Sequence, residues 1–133
     1  MKELKELIKI SGLSEETIRL YEELELIKGH HVSDGSKHYG DHELLKLWRI
    51  SLLKKAGYEL NEIAKVIDSN ENELHNMLAE QRIKVDREMA RLSRIRGITT
   101  KAMQLNMMDA KFIKAISNEM PYTSVLDYLM KLQ

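Results

Sequence analysis

The chain has 133 residues, and its 21 lysine and arginine residues balance 21 aspartate and glutamate residues, so the formal net charge is zero. This length allows one domain of typical size, or a small domain with an extension. Cysteine is absent, which excludes disulfides, a cysteine nucleophile and a thiolate metal site. No apolar run reaches the roughly 18 residues of a membrane span and no signal peptide precedes the first helix, so we expect a soluble cytoplasmic protein.

The first clear pattern is a short helix near the amino end that stops at a glycine. Leu4, Leu7 and Ile8 repeat at helical spacing, which gives this helix one apolar face. Gly12 is predicted to end it, because glycine reaches the left-handed backbone needed just past a helix end. Ser14 is predicted to cap the next helix, since its hydroxyl can accept a free backbone N–H.

The second helix is predicted to run from Ser14 to about Leu24. Ile18 and Tyr21 lie three residues apart and should turn inward, which leaves Thr17 and Arg19 facing outward. Two short helices joined in this way are the helix-turn-helix unit, whose second helix enters the DNA major groove. A plain helical hairpin is the alternative.

The stretch from residue 28 to residue 39 has no helical period. Val32 and Tyr39 flank a polar Ser-Asp-Gly-Ser turn, which predicts a short hairpin. Beside a helix-turn-helix unit, such a hairpin would form a wing that can lie over the DNA backbone or the minor groove.

Two further helices are predicted after the hairpin. Asp41 is predicted to cap a third helix that ends at Gly57 and is apolar nearly all round, with Leu44, Leu45, Leu47, Trp48, Leu52 and Leu53. We expect Trp48 in the core, because large aromatic side chains mostly serve packing. The i, i+3, i+4, i+7 pattern of a fourth helix comprises Leu60, Ile63, Ala64 and Ile67.

These elements resemble the MerR family of bacterial transcription regulators in order and spacing. The matching runs are TIRLYEE at 17–23, LIK at 26–28 and DGSKHY at 34–39, followed by a helix, Gly57 and a fourth helix. The resemblance covers about residues 1–68. It implies a mainly α fold: a winged helix-turn-helix domain with a small β-hairpin wing, then a long antiparallel dimerisation helix and a short helical tail.

The chain departs from the family pattern at a few positions. Leu20 replaces the family's first aromatic residue, Gly29 its common proline, and Glu25 its usual glycine. Lys37 stands where the wing arginine is usual, which keeps the charge but not the bidentate fork. These departures bear on the strength of DNA binding more than on the fold.

The resemblance implies seven DNA-binding residues, which are Ser14, Thr17, Arg19, Tyr21, Lys37, Tyr39 and Lys54. Core packing is the alternative role for Tyr21, and a solvated lysine is the alternative for Lys54. Residues 1–68 hold 11 basic against 13 acidic residues, a net of −2. Since phosphate contacts supply much of DNA affinity, binding must use local cations, for which the candidates are Arg19, Lys28, Lys37, Lys54 and Lys55.

Residues 70–108 are predicted to form a long helix that pairs with a second copy. Its apolar residues fall on one narrow stripe, here called the seam, which comprises Leu74, Leu78, Val85, Met89 and Leu92. A stripe this narrow favours a coiled coil. An isolated helix of this kind would be marginal in water. By resemblance, two such helices pair antiparallel and form the dimer interface.

Residues 109–133 are predicted to form a short tail. An apolar helix around Phe112 and Ile116 is followed by a break at 118–121 and an amphipathic helix from Tyr122 to Met130. About 25 residues are too few for a separate ligand domain. We therefore expect the tail to pack on the dimer helices, and the alternative is that it lines a small effector pocket between subunits.

Two residue clusters raise the question of metal binding, one of histidines and one of methionines. His30, His31, His38 and His42 fall within thirteen positions, which allows a metal site or a pH sensor. No i, i+4 histidine pair or cysteine partner supports a metal, so we expect wing residues near phosphate. Met103, Met107 and Met108 fit plastic packing better than soft-metal ligation. We expect no metal, no cofactor and no enzymatic activity, because no catalytic arrangement stands out.

The sequence therefore predicts a homodimeric, sequence-specific transcription regulator that binds an inverted-repeat promoter site and distorts the DNA. The implied partners are double-stranded promoter DNA, a second copy and RNA polymerase, with a small-molecule effector left open. One alternative is an architectural DNA-bending or recombination accessory protein. A second alternative is a helical dimerisation module without DNA binding.

Overall fold

The computed structural model describes residues 1–116 and 120–131, in two compact units, 1–79 and 80–133. The elements in chain order are β1 (Lys2–Glu3), α1 (Leu4–Ser11), α2 (Glu15–Glu23), β2 (His30–His31), β3 (Lys37–Tyr39), α3 (Asp41–Lys55), α4 (Leu60–Val66), α5 (Glu71–Gln104), α6 (Ala110–Ala115) and α7 (Tyr122–Lys131). Within the described ranges, no helix combines the length and apolarity of a membrane span.

The helix-turn-helix unit consists of α1 and α2, joined at the predicted glycine and serine. Gly12 has a φ of 69° and donates its N–H to the carbonyl of Ile8 at 2.9 Å. Ser14 precedes α2, and its Oγ accepts the N–H of Thr17 at 3.1 Å. Both predicted helix boundaries are therefore confirmed, and α2 is fixed tightly after α1.

The predicted hairpin is present, and a strand that the sequence did not predict joins it. The sheet is antiparallel with the order β1-β3-β2, and its register places Lys2 opposite Tyr39 and His31 opposite Lys37. Two residues of β1 are too few to display an alternating pattern, so only pairing with β3 reveals this strand.

The core of the first unit is formed by eleven apolar residues from α1 to just past α4, which are Leu7, Ile18, Tyr21, Leu26, Ile27, Tyr39, Leu47, Ile50, Leu53, Ile63 and Ile67. Ile18 and Tyr21 turn inward as predicted. In α3, Leu47, Ile50 and Leu53 face this core, and α3 packs against α1 and α4.

Two predictions about α3 were wrong. Trp48 is 65 % exposed. The helix is apolar on nearly every side, so its pattern could not show which face is buried, and Leu47 takes the inward position. Asp41 is the first helical residue rather than the cap, because Gly40 has the extended backbone of the N-cap position.

The long helix α5 begins in the first unit and continues into the second. Leu74, Met77 and Leu78 pack against the core of the first unit. In the second unit, Asp109 caps α6 by accepting the N–H of Lys111 at 2.8 Å, and Lys101 Nζ donates to the carbonyl of Leu129. The predicted break at 118–121 lies partly in residues 117–119, outside the described residues.

Candidate nucleic-acid interface

The outward face of α2 presents an arginine that already has a carboxylate partner. Arg19 Nη2 lies 2.5 Å from Glu15 Oε1, one turn earlier on the helix, and the Arg19 side chain is 69 % exposed. Ion pairs this exposed contribute only about 0.2–1 kcal/mol. A DNA phosphate can therefore displace Glu15 from the guanidinium at small cost.

Two hydroxyl groups mark the amino end of α2. Ser14 Oγ and Thr17 Oγ1 lie 2.8 Å apart, and Ser14 also accepts the Thr17 N–H. Ser14 is exposed and Thr17 half-buried. A helix amino end favours anions, because its free N–H groups and its dipole point towards them. Both residues lie at this end of α2, together with Glu15 and Glu16 of its first turn.

The wing is tied to α2 through Glu22. Glu22 Oε2 accepts a hydrogen bond from Lys37 Nζ at 2.8 Å, and Glu22 Oε1 accepts one from the Tyr39 hydroxyl. Burial, together with this hydrogen bond, raises the pKa of the Tyr39 hydroxyl well above its usual value. This network fixes the wing relative to α2.

Two of the seven residues implied by the resemblance are buried. Tyr21 and Tyr39 are 1 % and 2 % exposed. For Tyr21 this burial favours core packing, the alternative role given above. Tyr39 acts as an anchor for Glu22 rather than as a free surface group. Lys37 keeps a 40 % exposed side chain, and an ammonium has three donor hydrogens, so it can contact phosphate while paired.

The other three candidate cations are exposed as well, namely Lys28, Lys54 and Lys55. The backbone N–H of Lys28 donates to Glu43 Oε2 at 3.0 Å, and Glu43 is only 7 % exposed. A buried carboxylate thus fixes the start of the wing while leaving the Lys28 side chain outside. Lys54 and Lys55 lie in the last turn of α3, where cations favour the helix dipole.

The histidine cluster lies on and beside the wing. His30 pairs with His38 across β2 and β3. His38 Nε2 lies 3.0 Å from Ser36 Oγ and 3.8 Å from Glu3 Oε1. Within residues 1–116 and 120–131, no group of three or more histidine and carboxylate side chains could hold a metal ion.

Three polar side chains that join distant segments of the first unit were missed by sequence reasoning, namely Glu22, Glu43 and Arg49. Glu22 and Glu43 each bridge segments at least fifteen residues apart, and no local pattern reports such a contact. The only sequence signal for Glu22 is that it belongs to the run TIRLYEE at 17–23, which resembles the MerR family.

The part of the chain that forms this helix-turn-helix unit and its wing matches a known regulatory domain in sequence. The sequence profile of the MerR HTH family regulatory protein matches residues 3–70. The chain belongs to the MerR family. It is therefore a DNA-binding transcription regulator of MerR type and not an enzyme. A search of curated proteins finds no match.

Beyond the matched MerR domain, the seam divides into two parts. Leu74 and Leu78 are half-buried against the core of their own unit. Val85, Met89 and Leu92 are 48 %, 63 % and 50 % exposed on α5. The five residues assigned to a dimer interface thus have different surroundings, and only the last three leave apolar surface uncovered in this chain.

The tail of this MerR protein packs near the end of α5, and together they line a small, partly open apolar cavity. The cavity measures about 220 Å³ and is lined by Ile98, Ala102, Met107, Met108, Phe112, Ile113, Ile116, Tyr122, Val125 and Leu126. Ile98 follows Met89 by about two and a half helical turns, so it faces the opposite side of α5. The tail therefore leaves Val85, Met89 and Leu92 exposed.

Proposed function

We propose that this regulator acts as a homodimer that binds an inverted-repeat promoter site and distorts the DNA. The observation that carries the proposal is the exposed half of the seam. Val85, Met89 and Leu92 are each about half exposed or more on a helix that runs unbroken from Glu71 to Gln104. A second copy of α5 would cover them. It would also present two recognition helices to one duplex.

The distortion follows from how two such domains would hold DNA. Each would contribute cations on α2, the wing and the end of α3 that can contact phosphates, while α2 in the major groove can also reach base edges. The free energy of symmetric backbone contacts on both half-sites can offset the cost of bending or untwisting the DNA between them. RNA polymerase would then meet a promoter of altered geometry. A site of action on promoter DNA implies the cytoplasm.

Sedimentation of seam variants tests the dimer. Met89→Glu places a charge on the seam, and we expect it to yield monomers. Ile83→Glu is the matched control, because Ile83 is 51 % exposed on a different face of the same helix, and this variant should remain dimeric. A wild-type monomer at micromolar concentration, or equal behaviour of the two variants, contradicts the proposal.

Titration of labelled DNA from the gene's own promoter tests the mode of binding. A two-fold symmetric footprint supports the proposal. Bending without sequence preference would indicate the architectural alternative, and absence of binding at low salt would indicate a module for dimerisation alone. Arg19→Glu should abolish the footprint, because it reverses the one positive charge on α2.

An effector site in the tail is a second candidate, favoured by the apolar cavity. At about 220 Å³ the cavity is smaller than typical ligand pockets of about 300–1,000 Å³. Only a small apolar molecule would fit it. Met107→Trp should fill the cavity, and unchanged regulation in that variant would remove the effector role.

A further inference from the structure

The junction between the winged domain and α5 is held from one face of α3. His42, Lys46 and Arg49 are spaced i, i+4, i+7 and reach the segment 67–69 that leads into α5. Arg49 Nη1 donates to the carbonyl of Ile67 at 3.1 Å and to that of Ser69 at 2.8 Å. Lys46 Nζ lies 3.4 Å from Asp68 Oδ1.

The hydrogen bonds from Arg49 go to backbone carbonyls in the segment between α4 and α5. Ile67 follows the last residue of α4, where carbonyls lack a helical donor. A guanidinium can donate to both carbonyls with a fixed geometry, and bonds from a charged donor are stronger than neutral ones. Arg49 is half-buried, so water competes less for this contact.

A second bond reaches further along α5. The Tyr58 hydroxyl donates to the carbonyl of Met77 at 2.8 Å. Met77 and its neighbours Leu74 and Leu78 pack on the same core as Tyr58. The first two turns of α5 are thus held at the junction by Arg49 and beyond it by Tyr58. We call these two residues the α5 clamp.

We propose that the α5 clamp makes Arg49 and Tyr58 positioning residues for DNA distortion. The clamp causes the beginning of α5 to move as one body with the recognition helix. In a dimer, distortion of the DNA at one half-site then moves α5 as well. A flexible junction would absorb that movement. The role of the clamp in distortion rests on the proposed dimeric function; the ordering of α5 by the clamp does not.

The test compares one half-site with two. The probes are an inverted-repeat duplex recovered from random DNA by selection with the wild-type protein, and the same duplex with one half-site scrambled. The double variant Arg49→Met/Tyr58→Phe should lose about tenfold in affinity for the complete duplex, the order expected from lost charge-assisted bonds. Its affinity for the single half-site should stay within about twofold of the wild type.

Controls separate positioning from general damage. Arg87→Met removes an exposed arginine of α5 outside the clamp and should change neither affinity. Arg49→Lys keeps the charge with fewer donors and should restore part of the loss. Equal losses on both duplexes, or no loss on either, would overturn the positioning role.

Hydrogen exchange provides a readout that needs no DNA. In the double variant, amides of residues 72–78 should exchange about tenfold faster, while amides of α2 keep their wild-type rates. If selection recovers no duplex, the proposed function fails, and the exchange result alone decides whether the clamp orders α5. Unchanged exchange would show that it does not.

Discussion

Carboxylates already pair with two of the cations that DNA would need. Glu15 neutralises Arg19, and Glu22 neutralises Lys37. The two pairs differ in exposure, because the Glu15 side chain is 47 % exposed and the Glu22 side chain 18 % exposed. Water weakens the first pair more strongly. We therefore expect Arg19 to exchange its partner on DNA, whereas Lys37 keeps Glu22.

Freeing Arg19 should strengthen DNA binding. Glu15→Gln removes an ion pair of about 0.2–1 kcal/mol, so affinity should rise by up to about fivefold beyond that of the control Glu16→Gln. Glu16 carries the same charge in the same turn and makes no ion pair in the described structure. Mobility shifts at low salt measure the difference, and identical gains in the two variants would show that the pair is irrelevant.

Backbone strain at Glu25 predicts a stabilising substitution. Glu25 has a φ of 60°, in the left-handed region that costs a side chain about 1–2 kcal/mol. Glu25→Gly should raise the free energy of unfolding by up to about 1 kcal/mol, because the added flexibility of the unfolded chain offsets part of the gain. Thermal denaturation measures it.

Gly12→Ala should introduce the same kind of backbone strain that Glu25→Gly removes. Gly12 has a φ of 69° and no atom within 4 Å of an added Cβ, so only backbone strain enters. This variant should lose about 1 kcal/mol of stability. If both substitutions shift stability in the same direction, strain is not the cause.

Among the elements, the wing depends on side chains from outside its own sequence. Glu22 and Glu43 fix its two ends, and Asp34 orders its turn by accepting the N–H and the hydroxyl of Ser36 at 2.9 Å and 2.6 Å. The Ser36 hydroxyl lowers the pKa of Asp34. A lowered carboxyl pKa stabilises the turn at neutral pH, and this contribution is lost as pH falls through the folded-state value.

The outer face of α3 gives a direct optical test. Trp48 is the only tryptophan and is 65 % exposed, so its fluorescence should be that of a water-exposed indole and iodide should quench it. Unfolding in denaturant should shift the emission only slightly. A strongly blue-shifted, unquenchable emission would mean that another copy covers this face in solution.

At the scale of the molecule, the chain has no net charge, so its DNA binding must depend on where the individual cations lie. The matched domain carries more acidic than basic residues, and the five candidate cations lie on α2, beside and on the wing, and at the end of α3. If each neutralises one phosphate in both copies of a dimer, the logarithm of affinity should fall with the logarithm of salt with a slope of about −9. Filter binding at several salt concentrations measures this slope, and one shallower than about −4 would exclude most of these contacts.

The sequence determined the local structure of this regulator. Glycine and serine at the α1–α2 turn, the polar wing turn and the helical periods of α1 and α4 each act within a few residues, so they could be interpreted directly. The resemblance added the family. These signals also placed Ser14 at the amino end of α2 and Arg19 on its outward face.

The tertiary structure decided which faces are buried and which distant groups meet. An all-apolar α3 has no preferred face until α1 and α4 pack against it, so Trp48 could not be placed in advance. The contacts of Glu22, Glu43 and Arg49 join residues fifteen or more positions apart. The local propensities of the residues carry no information about such pairs. The pairs form, and contribute free energy, only when distant segments pack around the core.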